Sequence, residues 1–236
     1  MIFAAGLGTR LRPLTNNKPK ALVEINGKTL LEITIQKLIL SGFDEIIVNV
    51  HHFAGQVIDF LKQYKTTARI EISDEWDLLL DTGGGLKKTA WFFNDNKPFL
   101  LHNVDIISDI DLTILYKAHL KNNDALATLA VNHRKSTREF LIDENNILTG
   151  WRNVHTGEKK ISRSSTEKPQ PVSFCGIHII NPAIFSLITE EGAFSITDLY
   201  LRLAVQHNIL AYDTGNDKWI DVGTQKKLEQ AGKMFV

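Results

Sequence analysis

Cysteine is almost missing from this chain of 236 residues: Cys175 stands alone, so no internal disulfide can staple the fold and a reducing compartment is the default. Net charge is missing too. The 27 Lys and Arg balance the 27 Asp and Glu, which removes the electrostatic footprint of a nucleic-acid or anionic-membrane binder. Any polyanion recognised is therefore expected to be small. No run of apolar residues reaches the ~18 that a membrane-spanning helix requires. The opening Met1-Ile2-Phe3-Ala4-Ala5 has no cationic leader and breaks at Gly6, so it is not read as a secretory signal, and a cytoplasmic location is expected. Histidine is present eight times, but without metal spacing such as His-Glu-x-x-His, and these side chains read as ordinary strand-end residues. Among them, His51 stands at the end of an apolar strand.

Acid is also absent where it would matter. No Asp or Glu precedes Glu24, while Arg10, Arg12, Lys18 and Lys20 crowd one segment whose backbone carries Gly6 and Gly8. Two glycines let the chain turn with positive φ and bring N–H groups close to an anion, so Gly6–Lys20 reads as a phosphate cradle, against the plainer alternative of a solvated turn after a strand. Two familiar phosphate motifs fail by position. The third glycine of the dinucleotide fingerprint falls on Leu11, and the first glycine of a P-loop ending at Gly27-Lys28-Thr29 falls on Leu22.

Short apolar runs alternate with segments of helical period, which predicts an α/β fold: three layers, with a mixed, mostly parallel central sheet between helices. Met1–Ala5, Glu45–Val50, Arg69–Ser73 and Pro98–Asn103 read as strands. Leu31, Ile35, Leu38 and Ile39 mark one helix, ended by Ser41-Gly42, and Phe53, Val57, Phe60, Leu61 and Tyr64 mark the next. Thr82-Gly83-Gly84-Gly85 opens a short helix reaching Trp91. A further helix follows Asp111, then strand Ala125–Val131 and a hairpin, Glu139–Asp143 with Ile147–Trp151, turning at Glu144-Asn145-Asn146. Residues 152–171 carry little periodicity and read as a mobile surface excursion or lid. Ser173–Ile180 resumes a strand, Ser195-Ile196-Thr197-Asp198 has the spacing of a capping box, and Thr224 caps a last helix. One domain is expected to span 1–236, in a half to residue 110 and a half from 111.

The run Ala4-Ala5-Gly6-Leu7-Gly8-Thr9-Arg10-Leu11-Arg12-Pro13-Leu14-Thr15 with Pro19-Lys20 resembles the signature of the sugar-1-phosphate nucleotidyltransferases, and Trp219-Ile220-Asp221-Val222-Gly223-Thr224 resembles a second element of that family. Thr82–Gly85 and the chain length are most similar to its single-domain muramyl-type uridylyltransferase and mannose- or heptose-1-phosphate guanylyltransferase branches. The resemblance implies a Rossmann-like nucleotide-diphospho-sugar transferase fold, with a nucleotide-binding half to residue 110 and a sugar-binding half from 111, and Mg²⁺ dependence. It also implies an NTP and a sugar 1-phosphate as partners, and attack of the sugar phosphate on the nucleotide. UTP is favoured, with GTP and sugar 1-phosphates, or CTP and phosphocholine, as alternatives. Relatives carry a few residues before the equivalent of Met1, so a longer native start is expected. Nothing in the chain specifies an oligomeric state.

Such chemistry needs cations and positioning, not a protein nucleophile. Arg10 is expected on the β- and γ-phosphates through its guanidinium fork, and Lys20 between triphosphate and acceptor phosphate. Arg12 and Lys18 are expected at the periphery. Asp105, at the carboxyl end of a strand, and Asp221 are the metal pair that the resemblance predicts, and one or two carboxylates suffice for Mg²⁺; the plainer reading is that each caps a turn. Ala5, Gly6, Gly8, Thr9, Thr82, Gly83 and Gly84 are candidate nucleotide contacts, with backbone amides of the two loops offered to the base edge; for the triple glycine a flexible hinge is the alternative. Gly150, Trp151, Lys168 and Gly176 are candidate sugar contacts. Core packing serves equally for Trp151, and a solvated loop lysine is the plainer reading of Lys168.

Asn103-Val104-Asp105 departs from the family pattern, which commonly has glycine before the metal aspartate; the β-branched valine is expected to narrow the acceptor pocket or shift the loop. Two rivals follow. A glycosyltransferase using an NDP-sugar is suggested by Asp109-Ile110-Asp111, although two acids at a helix start explain that tripeptide as well. A noncatalytic NDP-sugar sensor is suggested by Val104. Release of pyrophosphate separates both from a nucleotidyltransferase.

Overall fold

The computed structural model describes residues 1–235. In chain order the elements are β1 (Ile2–Phe3), β2 (Glu24–Ile25), β3 (Lys28–Thr29), α1 (Leu30–Leu40), β4 (Glu45–Val50), α2 (Ala54–Gln63), β5 (Arg69–Asp74), α3 (Asp81–Lys88), β6 (Phe99–Asn103), β7 (Ile106–Ser108) and α4 (Leu112–Leu120). They continue as β8 (Ala125–Asn132), β9 (Arg138–Ile142), β10 (Leu148–Asn153), β11 (Lys159–Ile161), β12 (Gln170–Ile180), α5 (Ile184–Leu187), α6 (Ile196–Leu203), β13 (Asn208–Asp213), β14 (Trp219–Asp221) and α7 (Gln225–Met234). This is the expected α/β class with a mixed sheet. Two compact units are formed, one from Met1–Leu80, His102–Thr113 and the segment from Asp217 on, the other from Asp81–Leu101 and Ile114–Asn216. A cut at residue 110 does not separate them, because residues 81–101 fold with the second unit and the C-terminal segment with the first.

In the first unit β6, β1, β4 and β5 are neighbours in that order. They pair in parallel, with Ile2 opposite Val48 on one side and His102 on the other. Strands covered on both faces carry continuous apolar runs, and Ile46, Ile47 and Val48 are all fully or almost fully buried. Strand β1 is shorter than Met1–Ala5 because the Ala4 N–H leaves the ladder for the side chain of Asn49, 2.7 Å away. Helix α1 starts where Thr29 Oγ1 accepts from the Glu32 N–H at 3.1 Å, buries Leu31, Ile35 and Leu38, and stops before Gly42 at φ 89°. Helix α2 follows and returns the chain to β5. Separately, β14 pairs antiparallel with β7, placing Asp221 opposite Ile106.

In the second unit β12 pairs antiparallel with β8 and β9, β13 runs parallel to β8, and β9–β10 is the expected hairpin. Asn146 takes the left-handed position of its turn (φ 59°), and Asp143 Oδ1 accepts from the N–H groups of Asn145 and Ile147 at 2.9 and 2.8 Å. Residues 152–171 are not a loose excursion. Strand β11 adds to β10 with Ile161 opposite Gly150, and the Arg163 guanidinium donates to the carbonyls of Ala204 and His207 at 2.6 and 2.8 Å. A strand edge and a five-donor side chain supply the order that low periodicity hid. Helix α6 has Ser195 as its N-cap, Oγ accepting from the Thr197 N–H at 3.1 Å, while Asp198 Oδ1 accepts from Lys160 Nζ at 2.7 Å. Among the described residues no helix is long and apolar enough to cross a membrane.

Candidate active site

The chain leaving β1 is anchored before it becomes a loop. The Val104 N–H donates to the Phe3 carbonyl at 3.1 Å, while Asn49 holds Ala4 from the other side. Beyond the buried Ala5, Gly6 is exposed, and a Cβ built on it meets nothing within 4 Å. Its own fold does not demand a glycine there; the room is open to an approaching group. Gly8 is different: it sits at φ 63°, and an added Cβ would stand 3.0 Å from Lys20 Cβ and 3.1 Å from Thr15 Cγ2. Thr15 Oγ1 donates to the Gly8 carbonyl at 2.8 Å, and the turn Thr9–Leu11 buries Leu11 while leaving Thr9 and Arg10 exposed. The loop is thus pinned by Leu11 and Thr15 and presents its cations outward, with Arg12 also exposed and Lys18 4.0 Å from Glu24.

Lys20 is the exception among the cations. It is buried, and its Nζ donates to Asp105 Oδ2. Asp105 lies two residues beyond the end of β6, and its carbonyl accepts from the Val222 N–H at 2.8 Å, so the residue after Asp221 is tied to Asp105 itself. Asp221 Oδ2 lies 3.5 Å from Lys227 Nζ, and its Oδ1 is buried without a hydrogen-bond partner. A Cβ on Gly223 would stand 2.8 Å from that Oδ1 and 3.0 Å from Arg10 Nη1. The guanidinium and the carboxylate therefore share the space that a side chain at 223 would take. Arg10, Lys20, Asp105 and Asp221, distant in sequence, are gathered around the β7–β14 pair, and Gly223 is a site residue that sequence reasoning did not single out.

Among the described residues no cluster of three His, Cys, Asp or Glu has the arrangement of a metal cage. Two carboxylates, one with a buried orphan oxygen, still fit Mg²⁺, a hard cation that takes one or two carboxylates and completes its shell with water and substrate phosphate. Lys20 beside Asp105 offsets one of the two negative charges.

In the second unit the triple glycine is not a loop. Gly83, Gly84 and Gly85 lie inside α3, and the N–H groups of Gly83 and Gly84 donate to the Phe194 carbonyl at 2.8 and 3.3 Å. The first turn of a helix has donors without intrahelical partners, and Phe194 fills two of them. Those amides are not offered to a base edge. A Cβ at Gly83 would fall 2.3 Å from Phe194 Cδ2, so packing accounts for this glycine without a hinge. Thr82 Oγ1 accepts from the Ile196 N–H at 2.9 Å. Gly150 is likewise a packing glycine, its added Cβ falling 2.5 Å from the Lys160 carbonyl. Trp151 is half-buried with Lys160 Nζ 5.7 Å from its ring centroid, a cation over the face that a pyranose ring would use. Gly176 is buried at φ 74° within the irregular register of β12, and Lys168 is exposed.

Three of the eight histidines, His102, His119 and His178, are buried core residues, and the other five are partly or fully exposed. His102 lies in β6 with no exposure and a pKa lowered to about 3, first by burial and then by the charge of Lys37. His119 faces Thr128 at 2.9 Å from helix α4, and burial lowers its pKa to about 4. His178 Nδ1 meets the Tyr200 hydroxyl at 2.6 Å. His51 Nδ1 is 2.7 Å from the Glu75 carbonyl, which occupies the nitrogen nearest its backbone.

The Asp-x-Asp tripeptide also resolves locally. Asp111 Oδ1 accepts from the Thr113 N–H at 2.8 Å at the start of α4. Asp109, Asp217 and Asp111 raise the pKa of Lys37, which burial, the stronger influence, brings down to about 8. Val104 is 5% exposed, so its methyl groups belong to the interior and present little wall to a pocket.

A family model described as nucleotidyl transferase matches residues 1–235. The chain is 31% identical over 244 aligned positions to the N-acetylmuramate alpha-1-phosphate uridylyltransferase of Caulobacter vibrioides, covering 99% of this chain and 96% of that one. It is 30% identical to a mannose-1-phosphate guanyltransferase of Yarrowia lipolytica, over 96% of this chain but only 61% of that protein. The crystal structure of HddC from Yersinia pseudotuberculosis shares the fold, with a TM-score of 0.78 at 21% identity over 100% of this chain and 98% of that chain.

Proposed function

This chain belongs to the nucleotidyl transferase family, and we propose that it moves UMP from UTP onto an amino-sugar or muramyl-type 1-phosphate, giving a UDP-sugar and pyrophosphate. The observation that carries the reading is the gathering of Arg10, Lys20, Asp105 and Asp221 around the β7–β14 pair. The choice of UTP rests on likeness to a uridylyltransferase over nearly the full length of both chains, where the guanyltransferase relative extends well beyond this one.

The acceptor phosphate oxygen is already ionised at neutral pH, so no side chain need take its proton. It attacks the α-phosphorus in line; a new P–O bond forms as the bond to the oxygen bridging the α- and β-phosphorus breaks, and that electron pair leaves with pyrophosphate. Two anions must meet, so the residues act by offsetting charge and by fixing direction. Lys20, carried on the turn Lys20–Leu22 and buried beside Asp105, sits where an ammonium can bridge donor and acceptor phosphates. Arg10, exposed and forked, engages the outer phosphates of the leaving group. Gly6 and Gly8 let backbone amides approach the triphosphate, and Ala5 and Thr9 flank them. Asp105 and Asp221 would hold Mg²⁺, which when bound supplies Lewis-acid neutralisation of the triphosphate. Thr82 remains a nucleotide-side candidate, whereas the amides of Gly83 and Gly84 are taken by Phe194, and Gly150, Trp151, Lys168 and Gly176 remain sugar-side candidates. A cytoplasmic site of action, with Cys175 reduced, accompanies this reading.

The test crosses ATP, CTP, GTP, UTP and dTTP with sugar 1-phosphates and phosphocholine in the presence of Mg²⁺ and measures pyrophosphate. UTP with an amino-sugar or muramyl-type acceptor is expected to give the highest kcat/KM. GTP with mannose 1-phosphate in first place would move the protein to the guanylyltransferases, and no turnover with any pair would end the assignment.

A further inference from the structure

The loop that carries Gly6 and Gly8 takes its direction from a buried pair that lies outside it. Asn49 is the one polar residue in the apolar run of β4, is 3% exposed, and stands opposite Phe3 in the parallel register. Its Oδ1 accepts from the Ala4 N–H at 2.7 Å, and its Nδ2 donates to Glu75 Oε1 at 2.7 Å. Glu75 has no exposed surface; its Oε2 accepts from the Leu80 N–H at 3.1 Å, and its own N–H extends the parallel ladder to the Val50 carbonyl at 2.8 Å.

Both side-chain oxygens of Glu75 accept from N–H groups, whereas an amide side chain has a donating and an accepting end. Facing Glu75, Asn49 must present its NH₂, and the amide is then left with its oxygen toward Ala4. Turning the amide over would set two oxygens against each other at one end and two N–H groups at the other, at a cost of about 1–3 kcal/mol for each unmatched group. Burial sharpens that penalty. Only the buried Ala5 separates Ala4 from the exposed stretch at Gly6, and further along Thr15 Oγ1 ties down the Gly8 carbonyl. On the opposite flank the Val104 N–H holds Phe3, and Val104 precedes Asp105. The exit of β1 is thus fixed between β4 and the strand that delivers Asp105.

We infer that Asn49 and Glu75 are a positioning pair: the Glu75 carboxylate fixes the orientation of the Asn49 amide, which aims the Ala5–Gly8 backbone at the nucleotide triphosphate. The inference rests on the nucleotide-binding reading of that loop. Neither residue touches substrate in this account. Their action is confined to donor-nucleotide geometry, and acceptor affinity is left alone.

The test uses the full chain with Mg²⁺ and titrates UTP and, separately, GTP by calorimetry, alongside steady-state KM values for both substrates. Asn49→Leu keeps the branched shape and removes both hydrogen bonds. It is expected to weaken nucleotide binding about tenfold or more and to raise the nucleotide KM in parallel, while the sugar 1-phosphate KM stays within about threefold. Glu75→Gln has one acceptor oxygen for two donors and is expected to shift the same constants in the same direction, less far. Because the two act as one unit, the double variant should be no worse than Asn49→Leu alone. Hydrogen exchange at the Ala4 amide should rise in both variants. A purely structural role predicts instead equal losses for both substrates with a lowered Tm. Wild-type nucleotide affinity in a folded Asn49→Leu protein overturns the inference; if that variant does not fold, unchanged affinity in Glu75→Gln overturns it. If the wild type binds neither nucleotide, the transfer reading falls and the positioning pair falls with it. If the wild type binds and turns over while both variants match it, only the positioning pair falls.

Discussion

A glycine in a helix interior is ordinarily a weakness, worth roughly 1 kcal/mol against alanine, yet Gly83→Ala should make this protein melt earlier. The added methyl would lie 2.3 and 2.4 Å from Phe194 Cδ2 and Cε2 and 2.9 Å from the Phe194 carbonyl oxygen. The ring can turn, but the carbonyl is backbone and accepts from the N–H groups of Gly83 and Gly84. Overpacking of a filled interior costs about 1–3 kcal/mol. Weakening the carbonyl cap costs about 1 kcal/mol for each bond lost, and the helix preference of alanine returns roughly 1. The net is a loss of about 2–4 kcal/mol, or a Tm lower by roughly 5–15 °C for a chain of this size. Gly55 in α2 is the control. A Cβ there meets nothing within 4 Å, so Gly55→Ala should raise Tm by about 1–4 °C. Thermal unfolding followed by circular dichroism reads both. A Gly83→Ala protein that melts at or above the wild type would refute the packing account of the triple glycine.

Gly223→Ala should leave the melting point almost unchanged and lower kcat by about 100-fold, because the methyl must displace Asp221 Oδ1 or Arg10 by several tenths of an ångström; turnover within threefold of wild type would separate this corner from the chemistry. Lys20→Ala should abolish turnover with the fold intact, and near-normal turnover would remove Lys20 from the site. Stability should fall on acidification between about pH 6.5 and 4. His102 and His119 are held neutral in the folded protein, with pKa values lowered to about 3 and about 4, while in the unfolded chain they take up protons below about 6.5. Unfolding therefore binds protons in that window, and each histidine contributes a slope of about 1.4 kcal/mol per pH unit, stability rising with pH. Urea titrations at stepped pH should show this slope reduced by one proton in His119→Gln; an unchanged slope would contradict its burial as a neutral side chain.

The parts of this fold visible in the sequence are those set by local chemistry. The boundaries of β4 come from a β-branched run after Ser41-Gly42, and the caps at Ser195 and Thr224 are read from side chains that bond within their own turn. The loop from Gly6 to Lys20 was legible for the same reason: its glycines and cations lie within a few residues of one another. What stayed hidden depends on long-range contact. The ladder that orders Lys159–Ile161 comes from β10, the reach of Arg163 is to the segment after α6, and the partner that makes Gly83 necessary is Phe194. Glycine spacing alone cannot tell a backbone that approaches a ligand from one that approaches another strand or helix. Gly223 lay within the quoted Trp219–Thr224 run but gained a role only once Arg10 was found beside it. Asn49 carried a signal, a lone amide in an apolar strand, whose meaning required Glu75.

The account stands most directly on the stoichiometry of the products. Phosphorus NMR of one reaction containing UTP, N-acetylmuramate 1-phosphate and Mg²⁺ should show pyrophosphate and UDP-sugar rising together, one for one, with both signals lost when the metal is chelated. Appearance of nucleoside diphosphate or inorganic phosphate in place of pyrophosphate would contradict nucleotidyl transfer at Arg10, Lys20, Asp105 and Asp221.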